Sequence, residues 1–557
     1  MLEKIPKPFF YFLTVFLVFN LIQASFTELI FDEAYYWYYS QNMAWGYFDH
    51  PPMVALLIKI SALFFNGELG VRFIGCLLSA GNVIILWSLI DNPRKNEYIP
   101  HFFVLVFSMT LLNAYGFFTL PDTPLLFFTS CFLLSYKRFI EKPTLLLAIA
   151  LGVIMAALMY SKYHAVLVIL FVLLSNLNLV KNKYAWLAVC TALLCYIPHF
   201  YWLYANDFVS IKYHLYERPN GAYSFEKYTL GFFVNLIALF GLTFPFIYYA
   251  LIKTRSKELF TRALLFLTYG IILFFFVSSF NRRIQTQWVV VISIPLAIIA
   301  FNFMLRHKQS LKWIYRLGTI NIILMLYLRA GLIYQPLLFN FYYESHGNKD
   351  WVKKVADKAG AIPVVFENSY RRAPMYAFYS GGKTSFSLNN VQYRKNQYTI
   401  DGSEEQVRGK KILYISKYMK SGPFSYTKTD GSTFYGKFID DFKSYRNLEC
   451  TLTGQVSPIT IGQSLDFKVY NPYNFDIPMK ELQFAIAYLD AYRKPRDIRS
   501  ITAIPNSKDI NYLKAKDSIG LSITLPSSKK ENLANFRIVI SENNLYFGLN
   551  GKPIPLN

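Results

Sequence analysis

The feature that most constrains this chain is a run of apolar stretches, each near spanning length, over residues 8–334. They lie at about 8–26, 71–90, 101–119, 123–139, 144–160, 163–180, 184–204, 229–252, 262–280, 287–305 and 312–334. A helix needs about 20 apolar residues to cross a hydrocarbon core of about 30 Å. In lipid the backbone must bond to itself, so these stretches are expected as α-helices. From residue 341 the composition becomes that of a soluble protein, rich in Lys, Asp, Ser and Asn. The whole chain is 54% hydrophobic and only 16% charged, against roughly 25% charged for a soluble globular domain. The expectation is a polytopic α-helical membrane protein of about eleven spans with interfacial helices and a soluble C-terminal region. The net charge of +23 does not indicate a nucleic-acid partner, because many cations sit in the short gaps between apolar stretches, where membrane topology requires them.

Segment 52–66 decides which side each later loop faces. It is short, starts at Pro51-Pro52 and contains Lys59, as expected of an interfacial segment. If it does not cross and the N-terminus is inside, the inner gaps carry Arg94 and Lys95, Lys137, Arg138 and Lys142, Lys181 and Lys183, Lys253 to Arg262, and Arg306 to Lys312. The outer gaps then hold fewer cations, which agrees with the positive-inside rule. The soluble C-terminal region is expected outside with them. Under this topology Asp32, Glu33, Asp49, His50, Asp122, Lys162, His164, His214, Arg282 and Arg283 fall in or beside outer gaps.

Residues 31–53, FDEAYYWYYSQNMAWGYFDHPPM, concentrate chemistry in the first outer loop, 27–70. Asp32 and Glu33 sit where the first span leaves the membrane. At a half-dry boundary desolvation raises a carboxyl pKa and nearby cations lower it, and either tuning suits a general base; the competing reading is a pair of helix-end charges. Asp49 and His50 are competent metal ligands, and with His214 of the outer loop IKYHLYER they raise the expectation of a divalent ion at Asp49 and His214. Asp122, in TLPDTPLLFF, reads as a helix cap, with or without a chemical role. Lys162, in SKYHAV, and Arg282-Arg283, in RRIQTQW, run against the orientation rule. They are read as grips for a phosphate, which Arg takes through a planar fork and Lys as a point charge.

The soluble region divides into an α/β unit at 341–425 and a β-rich module at 426–557. HGNKDWVKKVADKAG and RRAPMYAFYSGG read as helices, AIPVVFENS and KKILYISK as strands. SLDFKVYN, LQFAIAYLD, LSITLP and FRIVIS read as strands of a sandwich. Five scattered cysteines suggest neither a disulfide framework nor a zinc site.

Taken together, DEAYYWYYSQNMAWGYFDHPP, TLPDTPLLFF, SKYHAV, PHFYWLYANDFVSIKYHLYER and RRIQTQW resemble the bacterial branch of the dolichyl-phosphate-mannose-protein mannosyltransferase family, with the lipid A aminoarabinose transferase a more distant relative. The resemblance covers about 25–335 and reaches VVFENSYRRAPMYAFYSGG and SLNNVQYRKNQY. It implies a C-fold integral-membrane glycosyltransferase that moves a hexosyl or pentosyl group from a polyprenyl-phosphate donor to a lipid, glycan or protein acceptor at the outer face of the cytoplasmic membrane. Asp32 would be the acceptor base, Glu33 its partner and Asp122 the second acid. Lys162, Arg282 and Arg283 would hold the lipid phosphate, with His50, Tyr47 and Gln287 as further substrate contacts. The aminoarabinose enzyme has Glu-Lys before its Pro-Pro, where this chain has Asp49-His50, and the protein mannosyltransferases have one more residue in that element. The rival class is a lipid-linked-sugar flippase or transporter. Its sites lie near the bilayer midplane on paired broken helices, whereas here the charges gather at one surface.

Overall fold

The computed structural model describes residues 5–218, 220–454, 459–506 and 511–556. The chain forms two compact units. One comprises residues 1–212 and 223–346, the other 213–222 and 347–557.

The first unit is helical. Helices Lys7–Phe26, Gly67–Leu89, Lys183–Ala205, Leu259–Ser278 and Lys308–Ile333 are long and apolar enough to cross a membrane. Glu226–Ala238 and Gly241–Lys253 would make a sixth span but are bent by 97°. The count of about eleven is therefore not reproduced among the described residues. Several expected spans are interrupted. Extended backbone at Met109 splits 101–119 into Ile99–Ser108 and Thr110–Ala114. Gly241, at φ +52° and with Asn321 against its α-carbon, turns the bent pair. Segment 163–180 yields the ten-residue helix Ala165–Leu174, followed by the short 3-10 helix Leu177–Lys181. Segment 52–66 holds a nine-residue helix, Met53–Ser61, about 14 Å long at 1.5 Å per residue and too short to cross.

Gly67–Leu89 is the central member, packed on Lys7–Phe26, Met53–Ser61 and Asp122–Glu141. Close approach needs small residues. A β-carbon on Gly75 would lie 2.3 Å from the Thr119 hydroxyl, and one on Gly152 would lie 2.5 Å from the Ala188 carbonyl oxygen. Lipid tails are as apolar as Leu, so this packing and the internal polar bonds hold the helices together.

The second unit opens with helix Asn348–Ala359. Strands β1 (Val364–Glu367), β2 (Ser385–Leu388), β3 (Ile412–Ser416), β4 (Phe424–Thr427) and β5 (Thr433–Ile439) form one sheet in the order β2-β1-β3-β5-β4. β1 pairs in parallel with β2 and β3, and helix Arg372–Tyr379 makes the β1-to-β2 crossover. The antiparallel hairpin β4–β5 extends this sheet through β3. The α/β part therefore runs to residue 439, past the expected boundary at 425.

The remaining strands are β6 (Glu449–Leu452), β7 (Ser464–Tyr470), β8 (Ile477–Pro478), β9 (Gln483–Leu489), β10 (Pro495–Ile501), β11 (Ile504–Pro505), β12 (Tyr512–Leu513), β13 (Ser518–Thr524), β14 (Asn535–Ser541) and β15 (Ile554–Pro555). They form sheets β10-β9-β14-β15 and β11-β13-β7-β6, with a short β8–β12 pair. Strand β7 alternates buried and exposed residues, the pattern of a sheet with one wet face. Leu465, Phe467 and Val469 pack with Phe484, Ile486 and Tyr488 and with Ile519, Leu521 and Ile523 in one core.

Candidate active site

The helix Phe31–Gln41 begins directly after the first span and carries the Asp-Glu pair in its first turn. The two acids have different surroundings. Glu33 is fully buried, and Arg72, from Gly67–Leu89, donates to it through Nε (2.8 Å) and Nη2 (2.5 Å). The amides of Thr119 (3.0 Å) and Ile30 (3.3 Å) also donate to it. A carboxylate has about four acceptor positions, and these four donors occupy them. Arg72 further donates to the carbonyls of Ala24 (3.0 Å), Thr27 (2.5 Å) and Glu28 (3.1 Å) at the end of the first span. A cation there satisfies carbonyls left over at a helix C-terminus, which explains this buried arginine structurally.

Asp32, half-buried, lies beside two tyrosines. Tyr115 hydrogen-bonds Asp122 and lies within electrostatic reach of Asp32 and Tyr343. Tyr343 in turn is close to Glu344, Glu33 and Asp32; burial first, then these charges, push its phenol up to about 12. Glu344 accepts from the Phe31 amide at the start of the helix (3.3 Å). His346 fixes this segment by accepting from the Tyr343 amide (3.0 Å) and pairing with the Gly331 carbonyl (3.0 Å). Asp122 begins helix Asp122–Glu141 and accepts from Lys162 Nζ at 2.7 Å, with both side chains almost wholly buried. The structure therefore brings Asp32, Asp122 and Lys162 into one neighbourhood, linked by Tyr115.

The rest of the first loop is held by aromatic rings. Tyr47 stacks on Tyr39 with centroids 4.2 Å apart, and its hydroxyl donates to the Tyr39 and Asn42 carbonyls and accepts from the Ala44 amide. Its ring is 2% exposed, so Tyr47 braces the loop. Asp49 is buried within electrostatic reach of Tyr39 and Tyr163. The His50 ring meets Tyr36 edge-on at 5.5 Å. His199 is fully buried in Lys183–Ala205, 2.6 Å from the Trp45 carbonyl and 3.2 Å from the Tyr163 hydroxyl. Ser210 donates to the Tyr47 carbonyl (2.9 Å).

The basic turn follows Leu259–Ser278. Arg282 is partly buried and Arg283 exposed, and Gln287 donates to Gln285 (3.1 Å). Trp288 packs 5.4 Å from the His164 ring, two residues along the chain from Lys162, so the two basic segments converge. Asp49 belongs to the first unit and His214 to the second. Among the described residues no group of three or more His, Cys, Asp or Glu could hold a metal ion.

Sequence reasoning missed His199, Tyr115, Tyr343 and Glu344. An ionisable residue inside an apolar span is by default a functional pointer, and that signal was available for His199. Nothing local marks the other three.

Residues 49–202 match the model of the dolichyl-phosphate-mannose-protein mannosyltransferase family. The chain resembles the bacterial branch of that family. Lipid A galacturonosyltransferase RgtD of Rhizobium johnstonii is 23% identical over 308 residues, covering 51% of this chain and 63% of the relative; the match thus spans less than two thirds of that relative's length. The crystal structure of ArnT from Cupriavidus metallidurans bound to undecaprenyl phosphate shares the fold at a TM-score of 0.53 and 15% identity, over 73% of this chain and 92% of that one. The fold is thus one shared with ArnT, a helical unit built of apolar helices followed by a β-rich C-terminal region.

Proposed function

We propose that the protein is an inverting glycosyltransferase. It takes a sugar from a polyprenyl-phosphate donor and passes it to a hydroxyl acceptor at the outer face of the cytoplasmic membrane, where the soluble unit also lies. The observation that carries this reading is that Tyr115 lies within electrostatic reach of both the half-buried Asp32 and Asp122 of the buried Asp122–Lys162 pair, in a fold shared with a structure bound to a polyprenyl phosphate. Asp32 takes the proton of the acceptor hydroxyl, whose oxygen bonds to the anomeric carbon. The bond from that carbon to the phosphate oxygen breaks, and its electron pair leaves on the polyprenyl phosphate. Single displacement inverts the anomeric configuration.

An ammonium has three donors, and Lys162 aims one at Asp122. The others, with Arg282 and Arg283, receive the phosphate, where preorganised charge in a dry site lowers the barrier. Glu33, whose acceptor positions are occupied, acts as a positioning residue: with Arg72 it locks the first turn of the helix that presents Asp32. A lipid A saccharide is the acceptor class proposed from the likeness to RgtD.

The test is transfer from a radiolabelled polyprenyl-phosphate sugar in membranes. A glycosylated product that disappears with Asp32→Asn is expected; uptake of the donor without product would overturn the reading in favour of a transporter. A requirement for a divalent ion is a separate proposal, rejected if strong chelators leave the transfer rate unchanged.

A further inference from the structure

The parallel part of the soluble sheet has a topological switch point. β1 leads to β2 on one side and pairs with β3 on the other. In open α/β sheets ligands bind outside the carboxyl ends of the strands at such a point. That end carries the segments NSYRR after β1 and NNVQYR after β2, which the transfer chemistry leaves unused.

Arg372 opens helix Arg372–Tyr379 at this end and is partly buried. Its guanidinium lies 4.0 Å from the Phe434 ring centroid and makes one long bond, Nη1 to Ser369 Oγ at 3.4 Å, while Nε is buried without a partner. Among the described residues no carboxylate pairs with it, and Asp430 acts on it only as a more distant charge. A second, independent group is Asn389, 3% exposed, whose Nδ2 has no partner although its Oδ1 accepts from Ser387 and Asn396. Ser387 Oγ also accepts from the Ser369 amide, which ties Asn389 to the start of the same helix. Unpaired buried donors call for an explanation.

The surroundings suit a sugar. Tyr370 and Tyr393 lie 6.1 Å apart, and Arg394 stacks on Tyr370 at 4.4 Å and on Tyr213 at 5.0 Å. Aromatic faces cover the C–H faces of a pyranose, amides bind its hydroxyls, and a guanidinium binds a phosphate or carboxylate through its fork. We propose that the carboxyl ends of β1–β3 form a binding site for an anionic saccharide, with Arg372 as the charge partner and Asn389 as a further donor. The site uses none of the residues assigned to transfer and does not depend on the proposed activity.

The test is calorimetric titration of the detergent-solubilised full chain with glucose 1-phosphate, glucuronate, inorganic phosphate and glucose. Saturable binding of at least one anionic sugar, and none of glucose, is expected; glucose 1-phosphate against glucuronate tells which anion is preferred. Arg372→Gln and Asn389→Asp should each weaken that binding at least about tenfold, the effect of losing one charge-assisted bond, whereas Lys162→Gln should leave it unchanged. Because Arg372 has no ion-pair partner to lose, Arg372→Gln should not lower the unliganded melting temperature. Binding that survives both soluble-unit variants, binding lost only with Lys162→Gln, inorganic phosphate binding as tightly as the sugars, or no saturable binding by any probe would overturn the proposal.

Discussion

Asp32 and Glu33 are adjacent in sequence yet differ in what they can do. Asp32→Asn should leave insertion and folding intact and reduce transfer by about 10²–10⁴-fold, the usual share of a general base, as measured by product formation in membranes. Glu33→Gln should act on the fold instead. It leaves Arg72 buried without its counter-charge, at a cost of about 3–5 kcal/mol, and should appear as lower thermal stability of the solubilised protein. Arg72→Met together with Glu33→Gln should recover part of that loss, since removing both charges spares the desolvation penalty. Sequence alone ranked the two acids as partners in chemistry. Separating them required Arg72 and Thr119, which lie 39 and 86 residues away from Glu33 and carry no local mark.

At the scale of elements, the close approach of Gly67–Leu89 to Thr119 places the donor that fixes Glu33. Gly75→Ala should push Thr119 away, because its β-carbon would lie 2.3 Å from the hydroxyl. The expected result is a fall in both stability and transfer, measured by melting temperature and initial rate. In the soluble unit the turn between β9 and β10 is held by Asp490. Its carboxylate accepts from the amides of Tyr492 (2.8 Å) and Lys494 (3.0 Å) and pairs with Arg496 (2.8 Å). Burial works to raise its pKa, but these donors together hold it below the usual value. A depressed carboxyl pKa contributes stability above the unfolded value and loses it as the pH falls through the folded one. Asp490→Asn should therefore cost about 2 kcal/mol at neutral pH, in the range for hydrogen bonds to a charged group, with the difference from the parent shrinking as the carboxylate range is crossed. Amide exchange along β9 measures it.

Over the whole molecule, the apolar spacing, the bias of cations and the change in composition near residue 341 were enough for a helical membrane protein with a soluble C-terminal region, because burial in lipid leaves few alternatives. The strands of that region were readable from their alternation, as in SLDFKVYN. The span count of about eleven is not confirmed: among the described residues five helices, or six with the bent pair, are long and apolar enough to cross. Hydropathy does not see the break at Met109 or the reversal at Gly241, which depend on backbone geometry and on neighbours such as Asn321. Strand β2, SFSL, gave no clear signal because it is short and polar by composition, and its burial in the sheet comes from β1 and the crossover helix. Sequence by itself determined which residue types could do chemistry and that the first unit is built of apolar helices, since composition and hydropathy carry both. Only the tertiary structure decided which of them are paired and enclosed, as Glu33 is by Arg72 and Tyr47 by its own loop, and which lie around Tyr115, as Asp32 and Asp122 do. Burial and pairing are properties of distant segments brought together, and no local stretch of the chain contains them.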